Sequence, residues 1–320
     1  MSDPNHAPSP RTVVDTTTGR PILMAPKRQG RPMHTGSKKS AARCPFCAGH
    51  EQDTPPQLDR EPAEISLPPA PSWRARAFAN KYPATDWHDV IAEGAGHAEH
   101  PCDLSLDEMR AAVQVWQRRV AAIERAPGVA TAFLFKNVGA RAGASIAHNH
   151  SQVIGLDRLP PRLELEREQQ RLAKSCLICA ARGRAEQGEH VIFRNDAFCI
   201  FAPDPPKLPF ESWLVPVACP GASAGQDFLT CDPTELADAL CAWFAGLHAA
   251  LDRPPLNLWL HRIPATQLAA GETFHWHFEL QPRTGQLAGL ELGGDMYINS
   301  VSAAETAQRL RHAAGGRRRD

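Results

Sequence analysis

The sequence predicts an α+β protein made of two tandem units, each an antiparallel sheet with helices. Three observations carry this reading. Two strong amphipathic helical stripes alternate with short strand-like runs. A C-x-x-C pair opens each half, at Cys44/Cys47 and at Cys176/Cys179. An H-x-H pair closes the matching stretch, at His148/His150 and at His275/His277.

In chain order, residues 1–18 are polar and rich in Pro and Thr and are expected to fray, as is the basic tail 315–320. Residues 19–160 form the first unit, expected to carry the chemistry, and 161–314 the second. In the first, Leu106, Met109, Val113, Trp116, Val120 and Ile123 recur at steps of three and four, and Ser105 with Glu108 reads as a capping box. The run "TAFLFK" (131–136) reads as a strand. Segment 161–184 is charged, helical in pattern, and links the halves. In the second unit the stripe is Leu236, Leu240, Trp243, Phe244, Leu247 and Leu251, capped by Asp232 with Pro233 at the first helical position. "LNLWLH" (256–261) reads as a strand and 302–314 as a C-terminal helix.

The halves follow one order. Cys47 to His97 spans 50 residues and Cys179 to Cys219 spans 40; His97 to His148 spans 51 and Cys219 to His275 spans 56. Repetition of chemistry-bearing positions in this order indicates internal duplication.

Bulk properties narrow the class. At 320 residues the chain suits two domains, and 42% hydrophobic residues suffice for a core. Lys+Arg and Asp+Glu both number 35, so no global charge attracts nucleic acid or a membrane. No apolar run approaches the roughly 20 residues that span a bilayer, and "MSDPNHAPSPRT" lacks a secretory apolar core. A soluble cytoplasmic protein is expected. The nine cysteines, odd in number, do not read as a disulfide framework; in a reducing compartment C-x-x-C is a metal clamp or a redox pair.

Two thiolates three residues apart grip one tetrahedral zinc and need two further ligands. The first set reads as Cys44, Cys47, His97 and His148, with His100 as a rival to His97. The repeat predicts Cys176, Cys179, Cys219 and His275 for a second, cysteine replacing histidine at the third position. The expected cofactor is therefore Zn2+, at one site and by extension at two, stapling each unit.

If 147–153 is a strand, His148, His150 and Gln152 share a face. His148 then binds zinc, His150 remains for chemistry, and Gln152 offers hydrogen bonds to an oxyanion. Upstream, "KNVGARAGAS" supplies Gly139 and Gly143 for close backbone approach, with Asn137 and Ser145 as donors. It is not a Walker loop, because the G-K-[ST] ending is absent. An unprotonated imidazole attacks phosphorus well, so His150 reads as a nucleophile beside a phosphate cradle. Core packing is the bland alternative for the same histidine.

"CPFCAGHEQ", "FANKYPA", "HDVIAEGAGH", "FKNVGARAGASIAHNHSQV", "LPFESWLVP" and "FHWHFELQPR" together resemble the galactose-1-phosphate uridylyltransferase family of the histidine-triad superfamily. The resemblance runs from about residue 19 to about 311, and is also close to the plant ADP-glucose phosphorylase branch. It implies two tandem histidine-triad-like repeats, zinc-stapled, and a ping-pong nucleotidyl transfer. It implies His150 as nucleophile and Gln152 as phosphate partner. It implies Asn80, Asn137, Gly143 and Ser145 as nucleotide-binding residues, and Arg28 and Arg31 as basic residues near substrate. The partners implied are a nucleotide sugar and a sugar 1-phosphate or phosphate, with a homodimer. Some relatives hold the second metal with a Glu and three histidines, which Glu166, His261, His275 and His277 also match. His275 cannot serve both sets, and the cysteine set is preferred because both thiols are present. Departures are Asn149 where Pro is usual, Ser151 where galactose enzymes have Gly, Cys219 where His is usual, and Gly289-Leu290-Glu291, which lacks a Tyr. Glu279 replaces the second Gln and no glycine loop precedes "HWHFE", so one active centre per chain is expected.

Overall fold

A computed structural model describes residues 9–26, 28, 44–63, 73–220 and 225–314. Strands β1 (Arg11–Val14) and β2 (Pro21–Met24) form an antiparallel hairpin. Residues 11–14, expected within a frayed terminus, are therefore ordered. Three consecutive residues, Thr12, Val13 and Val14, are β-branched, and the intervening turn closes at Gly19 with φ 70°.

The remaining strands are β3 (Gln57–Glu61), β4 (Ala75–Ala79), β5 (His88–Glu93), β6 (Thr131–Val138), β7 (His150–Leu156), β8 (Val191–Arg194), β9 (Phe198–Phe201), β10 (Ser212–Pro216), β11 (Leu256–His261) and β12 (His277–Pro282). Helices are α1 (Leu106–Glu124), α2 (Pro161–Ala173), α3 (Leu177–Gln187), α4 (Pro233–Leu251), α5 (Gly289–Gly294) and α6 (Ala303–Ala314). Strands β3 to β12 make one ten-stranded antiparallel sheet in the order β3-β4-β5-β7-β6-β11-β12-β10-β9-β8. One sheet per half was expected; instead β6 and β11 pair with each other, which removes two exposed edges from the middle of the molecule.

The order reads alike from either end, with β3, β4, β5, β7, β6 matching β8, β9, β10, β12, β11. Phe135 faces Trp259 across the β6–β11 pair; Phe135 lies opposite Gln152, and Trp259 opposite Glu279.

Helices α1 and α4 cover one face, and the core is continuous beneath them. Trp116 and Trp243, at matching points of these helices, are both buried. Each indole donates into its own half, Trp116 to Glu93 Oε1 at 2.9 Å and Trp243 to Ser212 Oγ at 2.8 Å. The capping box of α1 and the Asp232 cap of α4 form as the sequence indicates. Leu106, counted in the α1 stripe, lies at the first turn and is 44% exposed. The 161–184 segment is not one helix: Lys174, at φ 52°, ends α2, and Cys176 caps α3 by accepting from the Cys179 N–H.

Candidate active site

The C-P-F-C turn lies beside the start of β7. His148 accepts no strand pairing; β7 begins at His150, three residues later than the alternation suggested. That placement lets the His148 ring turn to the thiols. Its Nε2 donates to the Gly94 carbonyl at 3.0 Å, which points Nδ1 at Cys44 Sγ (3.7 Å) and Cys47 Sγ (3.5 Å). His97 Nδ1 lies 3.5 Å from Cys47 Sγ. The four ligand atoms all lie within 4.8 Å of one another. Tetrahedral zinc with Zn–S of about 2.3 Å and Zn–N of about 2.0 Å separates its ligands by roughly 3.3–3.8 Å, so the donor set fits. His100 is elsewhere, its Nε2 donating to Pro254 O at 3.2 Å. Burial holds His148 down to about 4, keeping the ring neutral as a ligand must be. Cys47 is pushed up to about 11 by burial and by Cys44, a cost that a bound cation removes.

The second cluster repeats this geometry. His275 donates from Nε2 to Pro216 O at 3.0 Å and places Nδ1 3.4 Å from both Cys176 Sγ and Cys179 Sγ. Cys219 completes the group. Burial acts to raise the Cys176 thiol, but hydrogen bonds from His275 and the Cys179 N–H outweigh it and bring it to about 6. Glu166, His261 and His277 converge separately, without His275. His261 Nδ1 donates to Glu166 at 2.9 Å; burial acts to raise the Glu166 carboxyl, but its contact with His261 outweighs this and brings it to about 2. Glu279, at the position of Gln152, is held by Arg162 at 3.0 Å and Lys207 at 2.9 Å.

His150 and Gln152 line one cavity of about 240 Å3 together with Asn80, Ser145 and Ile146. Pro45 and Phe46, from inside the C-x-x-C turn, form its wall, and the Phe46 ring meets the His150 ring edge-on at 5.4 Å. The His150 Nδ1–H donates to the His148 carbonyl at 2.7 Å. In the neutral ring this places the lone pair on Nε2. Gln152 Oε1 accepts from His88 Nε2 at 2.9 Å and from Asn80 Nδ2 at 3.4 Å.

The glycine loop is as tight as its composition requires. Gly139 and Gly143 have φ of 78° and 89°, and a Cβ at Gly139 would come within 3.2 Å of Pro255. Asn257 of β11 donates to Ala142 O at 2.9 Å and to Asn137 Oδ1 at 2.7 Å, so the second half holds the loop of the first. Asn137 and Arg28 border a neighbouring groove that shares Gln152 with the cavity. Arg28 donates to Tyr82 O at 3.0 Å. Arg31 lies outside the described residues.

Behind β7 is a buried charged network that sequence reasoning missed. Lys136 pairs with Glu93 and donates to Asn149 Oδ1 at 2.9 Å and to His150 O at 3.2 Å. Asn149 Nδ2 donates to Glu93 at 2.9 Å and Ser151 Oγ to Glu93 at 2.5 Å. Asn149 and Ser151, the two neighbours of His150 in the chain, thus bind one carboxylate. His88 was also missed. No sequence periodicity marks it, and only the pairing of β5 with β7 brings it to Gln152.

Fold and clusters define a chain built like the histidine-triad superfamily. A model described as "Domain of unknown function (DUF4931) N-terminal domain" matches residues 73–159. The chain is 26% identical to the ADP-glucose phosphorylase of Arabidopsis thaliana, over 96% of this chain and 93% of that one. It is 24% identical to the galactose-1-phosphate uridylyltransferase of Thermotoga maritima, over 91% and 94%. The crystal structure of the Arabidopsis thaliana ADP-glucose phosphorylase with bound ADP-glucose superimposes with a TM-score of 0.72 at 27% identity, covering 95% of this chain and 98% of that one. The likeness is to the galactose-1-phosphate uridylyltransferase family, including its plant ADP-glucose phosphorylase branch.

Proposed function

We propose that this chain is a nucleotidyltransferase acting on nucleotide sugars through a nucleotidyl-histidine, as a hexose-1-phosphate uridylyltransferase. The observation that carries the reading is that His150, protonated on Nδ1 by its bond to His148 O, shares one cavity with Gln152, Asn80 and Ser145. The nucleotide sugar binds with its α-phosphate at the glycine loop. His150 Nε2 attacks that phosphorus, the bond to the bridging oxygen breaks, and its electrons leave on sugar 1-phosphate. This leaving group is already anionic and needs little protonation. Gln152 and loop N–H groups stabilise charge on the transferred phosphoryl. A second sugar 1-phosphate, or phosphate, then takes the nucleotidyl group from His150.

We read the halves as tandem histidine-triad-like repeats, each stapled by zinc. The mirrored strand order, the paired tryptophans and the repeated Cys/His geometry support this. Cys44, Cys47, His97 and His148 would hold one ion and Cys176, Cys179, Cys219 and His275 another. Bound zinc supplies a structural cross-link that fixes the C-P-F-C wall and the approach to β7. One centre per chain is active, because Glu279 is engaged by Arg162 and Lys207 where the first half has Gln152. A homodimer rests on the family resemblance, and sedimentation tests it.

A second reading, an ADP-sugar phosphorylase or adenylyltransferase, is favoured by the similarity to the plant ADP-glucose phosphorylase. Separate incubation with UDP-glucose and ADP-glucose, followed by intact mass, distinguishes them. A uridylyl adduct supports the first, an adenylyl adduct the second, and no adduct with either overturns both.

A further inference from the structure

We infer that His88 is a positioning residue that sets the amide orientation of Gln152, an assignment that rests on the transfer reading above. The Ala84 backbone N–H donates to His88 Nδ1 at 3.1 Å. That nitrogen therefore carries no proton, and the neutral ring carries its proton on Nε2. His88 Nε2–H then donates to the group 2.9 Å away, which must be the oxygen of the Gln152 amide.

Asn80 Oδ1 accepts from the Tyr82 N–H at 2.8 Å, so its Nδ2 is the end that faces both His88 Nε2 at 3.1 Å and Gln152 Oε1 at 3.4 Å; with Nε2 protonated by the Ala84 contact, the Gln152 oxygen is the acceptor left to the Asn80 amide. Two donors thus converge on the Gln152 oxygen, each oriented by a backbone N–H of the β4–β5 loop. The Gln152 oxygen is committed to that side, and its NH2 is the end presented to an anionic phosphoryl. The flipped amide would set a carbonyl oxygen against that charge.

The arrangement belongs to the first half alone. His88 precedes the β5 residue opposite Gln152 by two, and the corresponding residue in the second half is Glu211. There the carboxylate of Glu279 is met by Arg162 and Lys207, with His261 of β11 at 3.7 Å, and none of these comes from the position that matches His88. His88 is buried, so the bond to Gln152 is made without water competing for it.

The test is the rate of adduct formation with UDP-glucose and with ADP-glucose, read by rapid quench and intact mass. His88→Leu should lower the maximal rate on the order of 100-fold, as loss of an oriented oxyanion donor does, with half-saturating nucleotide sugar changed less than three-fold. His88→Gln, which places an amide N–H near Nε2, should recover at least ten-fold of this loss. In a Gln152→Ala background His88→Leu should have no further effect. A His88→Leu protein as fast as the wild type, or a full additional loss in the Gln152→Ala background, overturns the positioning role alone. Thermal melting identifies any variant that has unfolded, and His88→Gln then carries the comparison: recovery supports the role and a loss equal to Gln152→Ala overturns it. No adduct on the wild type overturns the transfer reading and this assignment with it.

Discussion

His150 donates from Nδ1 to the backbone carbonyl of His148, 2.7 Å away. One dipeptide step therefore couples a candidate metal ligand to a candidate nucleophile. The His148 side chain faces the thiols while its carbonyl sets the tautomer of His150. A change in the metal cluster should move the nucleophile through this single bond.

Metal content follows from the two clusters. Protein as isolated should contain two zinc ions per chain by elemental analysis. Cys44→Ser should remove one and Cys179→Ser the other. Each loss should lower the melting temperature, at on the order of 2–4 °C per kcal/mol lost. Cys44→Ser should also impair nucleotide binding, because Pro45 and Phe46 line the cavity. His150→Ala should leave both ions in place.

Lys136→Met should be strongly destabilising. It leaves the Glu93 carboxylate buried without its cation, at a cost of about 3–5 kcal/mol in urea unfolding. Adding Glu93→Gln should restore at least half of that loss, since it removes the buried charge and the Gln oxygen still accepts from Trp116 and Ser151. An unchanged midpoint for Lys136→Met would show that the network contributes nothing.

Acid should destabilise the fold partly through His100. Burial holds its imidazole down to about 4, below the 6.5 of the unfolded chain. A group with a depressed pKa stabilises above its unfolded value. That contribution is fully present above pH 6.5, declines as the unfolded chain takes up a proton, and is lost by about pH 4. It amounts to roughly 3 kcal/mol across the window. His100→Gln should therefore show a shallower fall in stability than the wild type between pH 6.5 and pH 4. Parallel curves would exclude His100 as a source of the slope.

Asn257→Ala should loosen the glycine loop from the opposite half. Its amide is bonded to Ala142 O and Asn137 Oδ1. Half-saturating nucleotide sugar should rise several-fold, at about 1 kcal/mol per bond lost, with metal content unchanged. Steady-state kinetics on the two proteins checks this.

Much of this site is legible in the sequence because its chemistry is sparse and repeated. Cysteine pairs and H-x-H pairs stand out at any distance, and the like order of these positions in the two halves assigns His97 and Cys219 to their clusters. Helices α1 and α4 are legible for a similar reason, since long stripes and caps are local signals. What was not legible depends on strand register. His88 in "DWHD" has no periodic signal, and Glu93 and Lys136 meet only because β5 and β6 both flank β7. The join of the halves through β6 and β11 is likewise a long-range pairing, with no turn to announce it. The break at Lys174 carries neither Gly nor Pro, so 161–184 reads as one helix although the chain enters a left-handed conformation there.

The central claim is that His150 carries the nucleotidyl group. Wild-type protein, incubated with UDP-glucose or ADP-glucose and then digested at alkaline pH, should yield one peptide bearing the nucleotide, with the modification on His150. The bond should be labile to acid, as a phosphoramidate is, and His150→Ala with full zinc content should show no adduct and no turnover. A nucleotide on any other residue, or turnover that persists in His150→Ala, would contradict the account.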